Sequence, residues 1–165
     1  MPTPPSAVQR RSTRSGSLYE DVFGFSRGVR VGDVVHVAGT GPVWPDGACD
    51  PDPAVQARRC WEIAATALRD LGADLGHVVR TRMYVTDAAV ANEVGRVHGE
   101  VFGAIRPAAT MVVVAGLVDP RWHVEVEVEA LVSQEAFDPS TASERVAATT
   151  QGTASSPRFR ASPEG

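Results

Sequence analysis

The sequence predicts an α+β domain in which a single mixed β-sheet carries two helices on one face. Segments with the two-residue alternation of strands and segments of helical period follow one another in the order hairpin, helix, strand, helix, strand, strand. Two helices can cover only one side of such a sheet. We therefore expect a closed symmetric oligomer to cover the other side.

The predicted hairpin consists of residues 25–31 and 34–40, joined by a glycine-first turn at Gly32 and Asp33. Gly39 and Thr40 end its second strand. A glycine at a strand end allows a ligand to approach the backbone closely, although a plain turn explains such a glycine more often. Gly39 and Thr40 are thus candidate binding residues.

The first helix is predicted to begin at Asp52 and Pro53 and to end at Gly72, because Asp is a favoured cap and Pro a favoured first residue. A second helix follows Asp87. His98 lies at the edge of that helix's apolar stripe, where a hydrogen-bonded histidine is more common than a catalytic one.

Between the helices, residues 78–86 form a strand pattern. Arg80, Arg82 and Tyr84 share one face, and the other carries Val79, Thr81, Met83 and Val85. The two arginines are either solvated or partners of carboxylates or of an anionic ligand.

The last two strands differ in pattern. Residues 110–115 are a nearly continuous β-branched run, which predicts a strand covered on both faces. Residues 124–130 alternate, with valines on one face and Glu125, Glu127 and Glu129 on the other, neighbouring carboxylates roughly 7 Å apart. This row is either a solvated outer face or, if an oligomer buries it, a group of acids with raised pKa values.

Composition predicts one folded domain, residues 18–135, between disordered tails at 1–17 and 136–165 that are rich in small and polar residues. The net charge of -4 disfavours a nucleic-acid partner. No apolar run approaches the ~20 residues of a membrane span, and the start lacks the apolar core of a signal peptide. We expect a soluble cytoplasmic protein.

Metal and cofactor sites are not predicted. Cys49 and Cys60 are expected to be reduced thiols, and the cysteines and histidines lack metal-ligand spacing. The sequence also contains no phosphate loop, dinucleotide motif or nucleophile elbow.

Five segments, at residues 24–33, 38–40, 78–87, 106–108 and 124–130, together resemble the Rid family of reactive intermediate deaminases, also called YjgF-like. The resemblance covers about residues 18–133. It implies a chorismate-mutase-like fold, a homotrimer with a central barrel of sheets, and small-molecule clefts between subunits. It also implies hydrolysis of enamines and imines to keto acids and ammonia without a bound cofactor.

The resemblance places Glu127 at the position of a glutamate that directs water or protons. This chain differs at three other cleft positions: Ala109 replaces an arginine that binds the substrate carboxylate, Phe25 a tyrosine, and Ala38 a serine. The missing guanidinium removes a contact worth about 1.5 to 3 kcal/mol. Arg80, Arg82 and Arg106 are the candidates for a replacement cation.

Three functions follow from these residues. The first is hydrolysis or tautomerisation of an enamine, imine or related unstable intermediate, with Glu127 moving protons. The second is a non-catalytic small-molecule-binding trimer. The third is a pathway-specific lyase or cyclase on the related chorismatase-like fold, which requires an apolar cleft lined by Phe25, Met111 and Trp122.

Overall fold

The computed structural model describes residues 9–132, which form one six-stranded sheet with strand order β1-β2-β3-β6-β4-β5. The strands are β1 (Arg10–Thr13), β2 (Gly28–Val31), β3 (Val34–Thr40), β4 (Val78–Val85), β5 (Ala108–Val113) and β6 (Val124–Leu131). The helices are α1 (Leu18–Phe23), α2 (Pro53–Asp70) and α3 (Ala91–Phe102). The sheet is mixed because β5 runs parallel to β4, whereas the other pairs are antiparallel.

The two long helices pack together on one face of the sheet, as the sequence predicts. Helix α2 begins where the Asp52 side chain accepts a hydrogen bond from Ala54 N at 2.7 Å, and it packs on β3, β6 and α3. Trp61 of α2 lies edge-on to Phe102 of α3, with ring centroids 5.1 Å apart. The predicted fold class is therefore confirmed.

The pairing of β6 with β4 aligns the core side of both strands. Val128 pairs with Thr81, Val126 with Met83, and Val124 with Val85, and all six residues are buried beneath the helices. The alternation predicted for β6 is confirmed, because its glutamates point to the opposite face. We call that opposite face, which carries the arginines of β4 and the glutamates of β6, the open face.

A bulge changes the predicted facing at the start of β4. The register with β6 shifts between Val78 and Arg80, so that Val78 enters the core and Val79 is 49% exposed. The alternation in the sequence had grouped Val79 with Thr81 and Met83. An extra residue in one strand reverses the facing of everything before it, and alternation alone does not reveal it.

The prediction that the apolar run at 110–115 is covered on both faces is wrong for the single chain. β5 pairs only with β4 and is the edge of the sheet, leaving Val112 42% and Val113 57% exposed. The apolar pattern indicates burial, but nothing within residues 9–132 supplies it.

A strand lies before the predicted domain boundary at residue 18, within the segment predicted to be a tail. β1 pairs with β2, and Thr13 Oγ1 donates to the Asp70 carboxylate at 2.9 Å. Arg11, one of the basic residues that suggested a tail, also holds this strand, because its Nη2 donates to Asp70 O at 3.3 Å. Residues 1–8 and the predicted tail 136–165 lie outside the described residues. In residues 9–132, no helix is long and apolar enough to cross a membrane.

Replacing Trp61 with Ala should lower the free energy of unfolding by about 3–5 kcal/mol, because loss of the indole ring leaves a cavity between the two helices. The indole N–H has no acceptor in the described part of the chain, so Trp61→Phe, which removes that N–H and keeps a ring, should lose less. Denaturant unfolding measures both. Thr66→Ala, on the exposed side of α2, is the control and should change stability by less than about 0.5 kcal/mol. A loss below about 1 kcal/mol for Trp61→Ala would contradict this packing.

Candidate functional site

The open face carries a network of ion pairs between β4 and β6. The register pairs Arg82 with Glu127 and Arg80 with Glu129. Arg82 Nη1 donates to Glu127 Oε2 at 3.2 Å and to Glu129 Oε1 at 2.8 Å, and Arg80 Nε lies 3.9 Å from Glu129 Oε2. We call these four residues the open-face ion cluster. It fixes the orientation of the Glu127 carboxylate.

Glu125 lies beside this cluster in a more enclosed position. Its Oε1 occupies the space in front of Gly39, where an added Cβ would lie 2.3 Å away. Burial, followed by the nearby negative charge of Glu127, raises the pKa of Glu125, and the attraction of Arg27 only partly opposes this. Glu125 is thus a half-buried acid whose surroundings favour its protonated form.

Arg27 braces the strand end next to Glu125. Its Nη1 donates to Gly39 O at 2.6 Å and to Thr40 Oγ1 at 3.1 Å, and its Nε lies 3.9 Å from Glu20 Oε1. Burial alone would raise the pKa of Glu20, but hydrogen bonds from Ser15 and Arg14 and the charge of Arg27 lower it below its usual value. Glu20 is therefore an anion that pairs with Arg27.

A cavity of about 210 Å³ opens on the ion cluster. It is lined by Val29 of β2, by Ser26 just before that strand, and by residues of β3, β4 and β6, among them His36, Ala38, Arg82, Glu127 and Glu129. A larger recess of about 810 Å³ follows the exposed flanks of α2 and contains none of the predicted site residues. We place the candidate site at the smaller cavity, because there the ionisable groups converge.

Three further predicted binding residues, Phe25, Thr40 and Trp122, lie near one end of this site. The Phe25 ring lies 5.7 Å from Arg27 Cζ. Thr40 is buried, and its hydroxyl donates to Ala38 O at 2.7 Å. Trp122 packs against Gly41, where a Cβ would lie 2.3 Å from its ring. These contacts shape the strand end.

Ala109 and Met111 lie away from Glu127 within one chain. β5 aligns them with Thr81 and Met83, which face the helices, and Met111 packs against the core. The apolar cleft of Phe25, Met111 and Trp122, required for a lyase or cyclase, is not assembled by residues 9–132 of a single chain. Thr81 bonds to His98 Nε2 at 2.9 Å, and burial lowers the pKa of this histidine, which favours the structural interpretation of His98.

Several residues at the site were missed from the sequence. His36 pairs with Glu129 across β3 and β6, and strand alternation could have placed it there. Tyr84 pairs with Glu125, and burial, reinforced by nearby Glu127, raises its pKa. Ser26 precedes β2 and carries no pattern that would identify it. Within the described residues both cysteines are free, and no three metal-ligating side chains cluster.

Comparison with known proteins gives consistent matches. The family model for endoribonuclease L-PSP matches residues 19–132. The Streptomyces coelicolor protein SCO2049 is 40% identical over 121 residues, covering 73% of this chain and 90% of its own. The RutC family protein PYRAB12510 of Pyrococcus abyssi is 31% identical over 113 residues, covering 67% and 87%. The crystal structure of Rv2704 from Mycobacterium tuberculosis, a member of the YjgF/YER057c/UK114 family, aligns with a TM-score of 0.70 and 44% identity over 75% of this chain and 100% of that one.

Substituting Glu125 with Gln should stabilise the protein at neutral pH. A carboxyl whose pKa is higher folded than unfolded favours folding when protonated, so this contribution is present below its ordinary pKa of 4.5 and is lost as pH rises through the folded value. The variant should therefore melt a few degrees above wild type at about pH 7.5, and the difference should vanish near pH 4. Thermal melting at both pH values measures this. A difference that is reversed or independent of pH would contradict the environment assigned to Glu125.

Proposed function

The chain belongs to the endoribonuclease L-PSP family, also called the YjgF/RidA family, and from this premise we propose that it hydrolyses or tautomerises a small enamine or imine at Glu127. The cleft would lie between subunits and need no bound cofactor. The observation that carries the proposal is the hydrogen bond from Arg82 that orients the Glu127 carboxylate, which lines a cavity of about 210 Å³. Membership in the family supports a role in processing small molecules.

The proposed reaction uses Glu127 as the proton-transfer group. The carboxylate takes a proton from water as the oxygen attacks the imine carbon, and the C=N electron pair moves to nitrogen. Glu127 returns this proton to the nitrogen, which gives a neutral carbinolamine. Glu127 then takes the hydroxyl proton of the carbinolamine and passes it to the nitrogen as the C–N bond breaks, which gives a carbonyl compound and an amine. An enamine first gains a proton at carbon and becomes an iminium ion, which loses its N–H proton to give the imine. Arg82 acts as a positioning residue, because it holds Glu127 from the neighbouring strand.

The family's name raises a ribonuclease as the obvious competitor, and the charges disfavour it. RNA binding requires clustered, available cations. The chain carries a net charge of -4, and both arginines of the open-face ion cluster bind carboxylates of the protein itself. A small-molecule substrate fits a cavity of this size better than a polynucleotide does.

A homotrimer is part of the proposal. The edge strand β5 presents unpaired backbone groups together with exposed Val112 and Val113, and such an edge is normally covered. The ion pairs of the open face are partly exposed in one chain and are worth only about 0.2–1 kcal/mol each in that state. Burial between subunits would strengthen them and exclude water from Glu127.

We expect analytical ultracentrifugation to give a mass three times that of one chain. Val112→Asp should shift the protein toward monomer, since it places a charge on the exposed edge strand. Thr66→Asp, on the outer side of α2, is the matched control and should remain trimeric. A wild-type monomer at micromolar concentration would contradict the assembly.

Glu127→Gln should lower the rate of imine hydrolysis by about 10²–10⁴-fold, the usual contribution of a general base. The assay follows release of carbonyl product from small imines, with and without a carboxylate, against the rate in buffer. Glu62→Gln, which removes an exposed carboxylate on α2, is the control and should keep full activity. If wild type accelerates the hydrolysis of none of these imines, or if Glu127→Gln retains the wild-type rate, the proposed function is wrong. Binding of an imine without faster hydrolysis would favour the non-catalytic alternative.

A further inference from the structure

We infer that His36 is a second proton-transfer residue of this site, which protonates the imine nitrogen while Glu127 activates water. The inference rests on the proposed function and adds a catalytic residue to that same reaction. It is carried by the position of His36, which lines the cavity of about 210 Å³ together with Glu127 and lies on the neighbouring strand.

Hydrolysis of an imine needs proton transfer at two atoms, the oxygen of water and the nitrogen of the substrate. Water attacks the carbon faster when an acid donates to the nitrogen in the same step, because the C=N electron pair moves to that nitrogen. Glu127 cannot donate in this step, since its carboxylate is then accepting the proton of water. A second group that carries a proton near neutral pH is needed, and histidine is the side chain with this property.

The strand register places His36 close to Glu127. His36 of β3 pairs directly with Glu129 of β6, and Glu127 lies two residues away on the same face of β6. Diagonal neighbours of this kind are roughly 7–8 Å apart, which is within reach of long side chains. The imidazole and the carboxylate can therefore each form a hydrogen bond to one small molecule that lies over the boundary between β3 and β6.

The surroundings of His36 leave its ring available to a substrate. The open-face ion cluster faces it from β6 and β4, whereas β2 presents Val29 beside it, and Ser26 lines the same cavity. Arg82 Nη1 bonds to both glutamates of that cluster, so these carboxylates already have partners. His36 itself is exposed. A molecule in the cavity can thus contact the imidazole without breaking the ion pairs that orient Glu127.

The reaction balances when it starts with His36 protonated and Glu127 ionised. The imidazolium donates a proton to the imine nitrogen as water adds to the carbon and gives a proton to Glu127. The products of this step are a neutral carbinolamine, a neutral imidazole and a protonated carboxyl. Glu127 then gives its proton to the nitrogen, and the imidazole takes the hydroxyl proton as the C–N bond breaks. A carbonyl compound and an amine leave, and both residues are restored to their starting forms.

The test is the pH dependence of kcat/KM for the N-trifluoroethyl imine of benzaldehyde, followed as aldehyde release by the full-length protein over the rate in buffer. Because the nitrogen of this imine is weakly basic, a fall in kcat/KM between about pH 6 and 9 reports a group of the protein. Wild type should show that fall. His36→Gln should lower kcat/KM about 10²-fold near pH 6 and remove the fall, so that the two profiles converge at high pH.

Two controls separate proton transfer from a structural role. His77→Gln, which changes a histidine bonded to Asp74 outside the cavity, should keep the wild-type profile. Imidazole added to His36→Ala should restore several-fold of the lost rate beyond what it adds in buffer alone, because it can enter the space that the ring leaves. The same imidazole should not restore Glu127→Gln.

Several outcomes would overturn the inference. If Glu127→Gln abolishes activity but His36→Gln keeps the wild-type rate and the fall at high pH, the proposed function stands and the role of His36 is wrong. A loss in His36→Gln that is equal at every pH and is not restored by imidazole would refute proton transfer. Acceleration of other small imines but not of this weakly basic one would also refute it, since such a nitrogen depends most on an acid. Acceleration of no imine would overturn the proposed function and this inference together.

Discussion

The antiparallel pairing of β4 with β6 sets both the core and the candidate site. In this register each valine of β6 meets an apolar or hydroxyl side chain of β4 beneath the helices, and each glutamate meets an arginine or a tyrosine on the open face. Because side chains alternate along a strand, a slip of one residue would expose the valines and bury the charges. The hydrophobic core thus enforces the alignment of Arg82 with Glu127.

The charged residues of the open face form two separate groups. Arg82 joins Glu127 and Glu129 and gives Glu127 a fixed orientation. Glu125 is held apart by Gly39, whose missing side chain leaves room for the carboxylate, and Arg27 braces that strand end. Within a single chain these groups are partly exposed. A second subunit that covers these groups would exclude water and strengthen the electrostatic interactions between them. The proposed activity would therefore depend on assembly.

The sequence was sufficient for most of the fold. Caps at Asp52, the turn at Gly32 and the alternation of β6 are local signals, and the structure follows them. The β4 bulge, the ordering of β1 and the edge position of β5 depend on which strands become neighbours, and local patterns do not contain that information. For the same reason the glutamate row was visible in the sequence, whereas its pairing with Arg82 was not fixed.

For a related reason, only part of the site could be predicted from the sequence. Glu127 and Arg82 were identified from resemblance and alternation, and both line the cavity. Gly39 was identified as a glycine at a strand end, and it lies against Glu125. Ala109 and Met111 were identified from the same resemblance but lie on the helix side of β5. Glu125 acquires its chemical character from burial and from Gly39, and both depend on the tertiary structure.

The most direct test of the site is a crystal structure of the assembled protein soaked with N-methylbenzylamine, a stable cation that mimics an iminium ion. The amine nitrogen should lie within hydrogen-bonding distance of the Glu127 carboxylate, in a cleft closed by a neighbouring subunit. Density for the amine elsewhere, with this cleft empty at saturating concentration, would contradict the assignment of Glu127 as the reacting group.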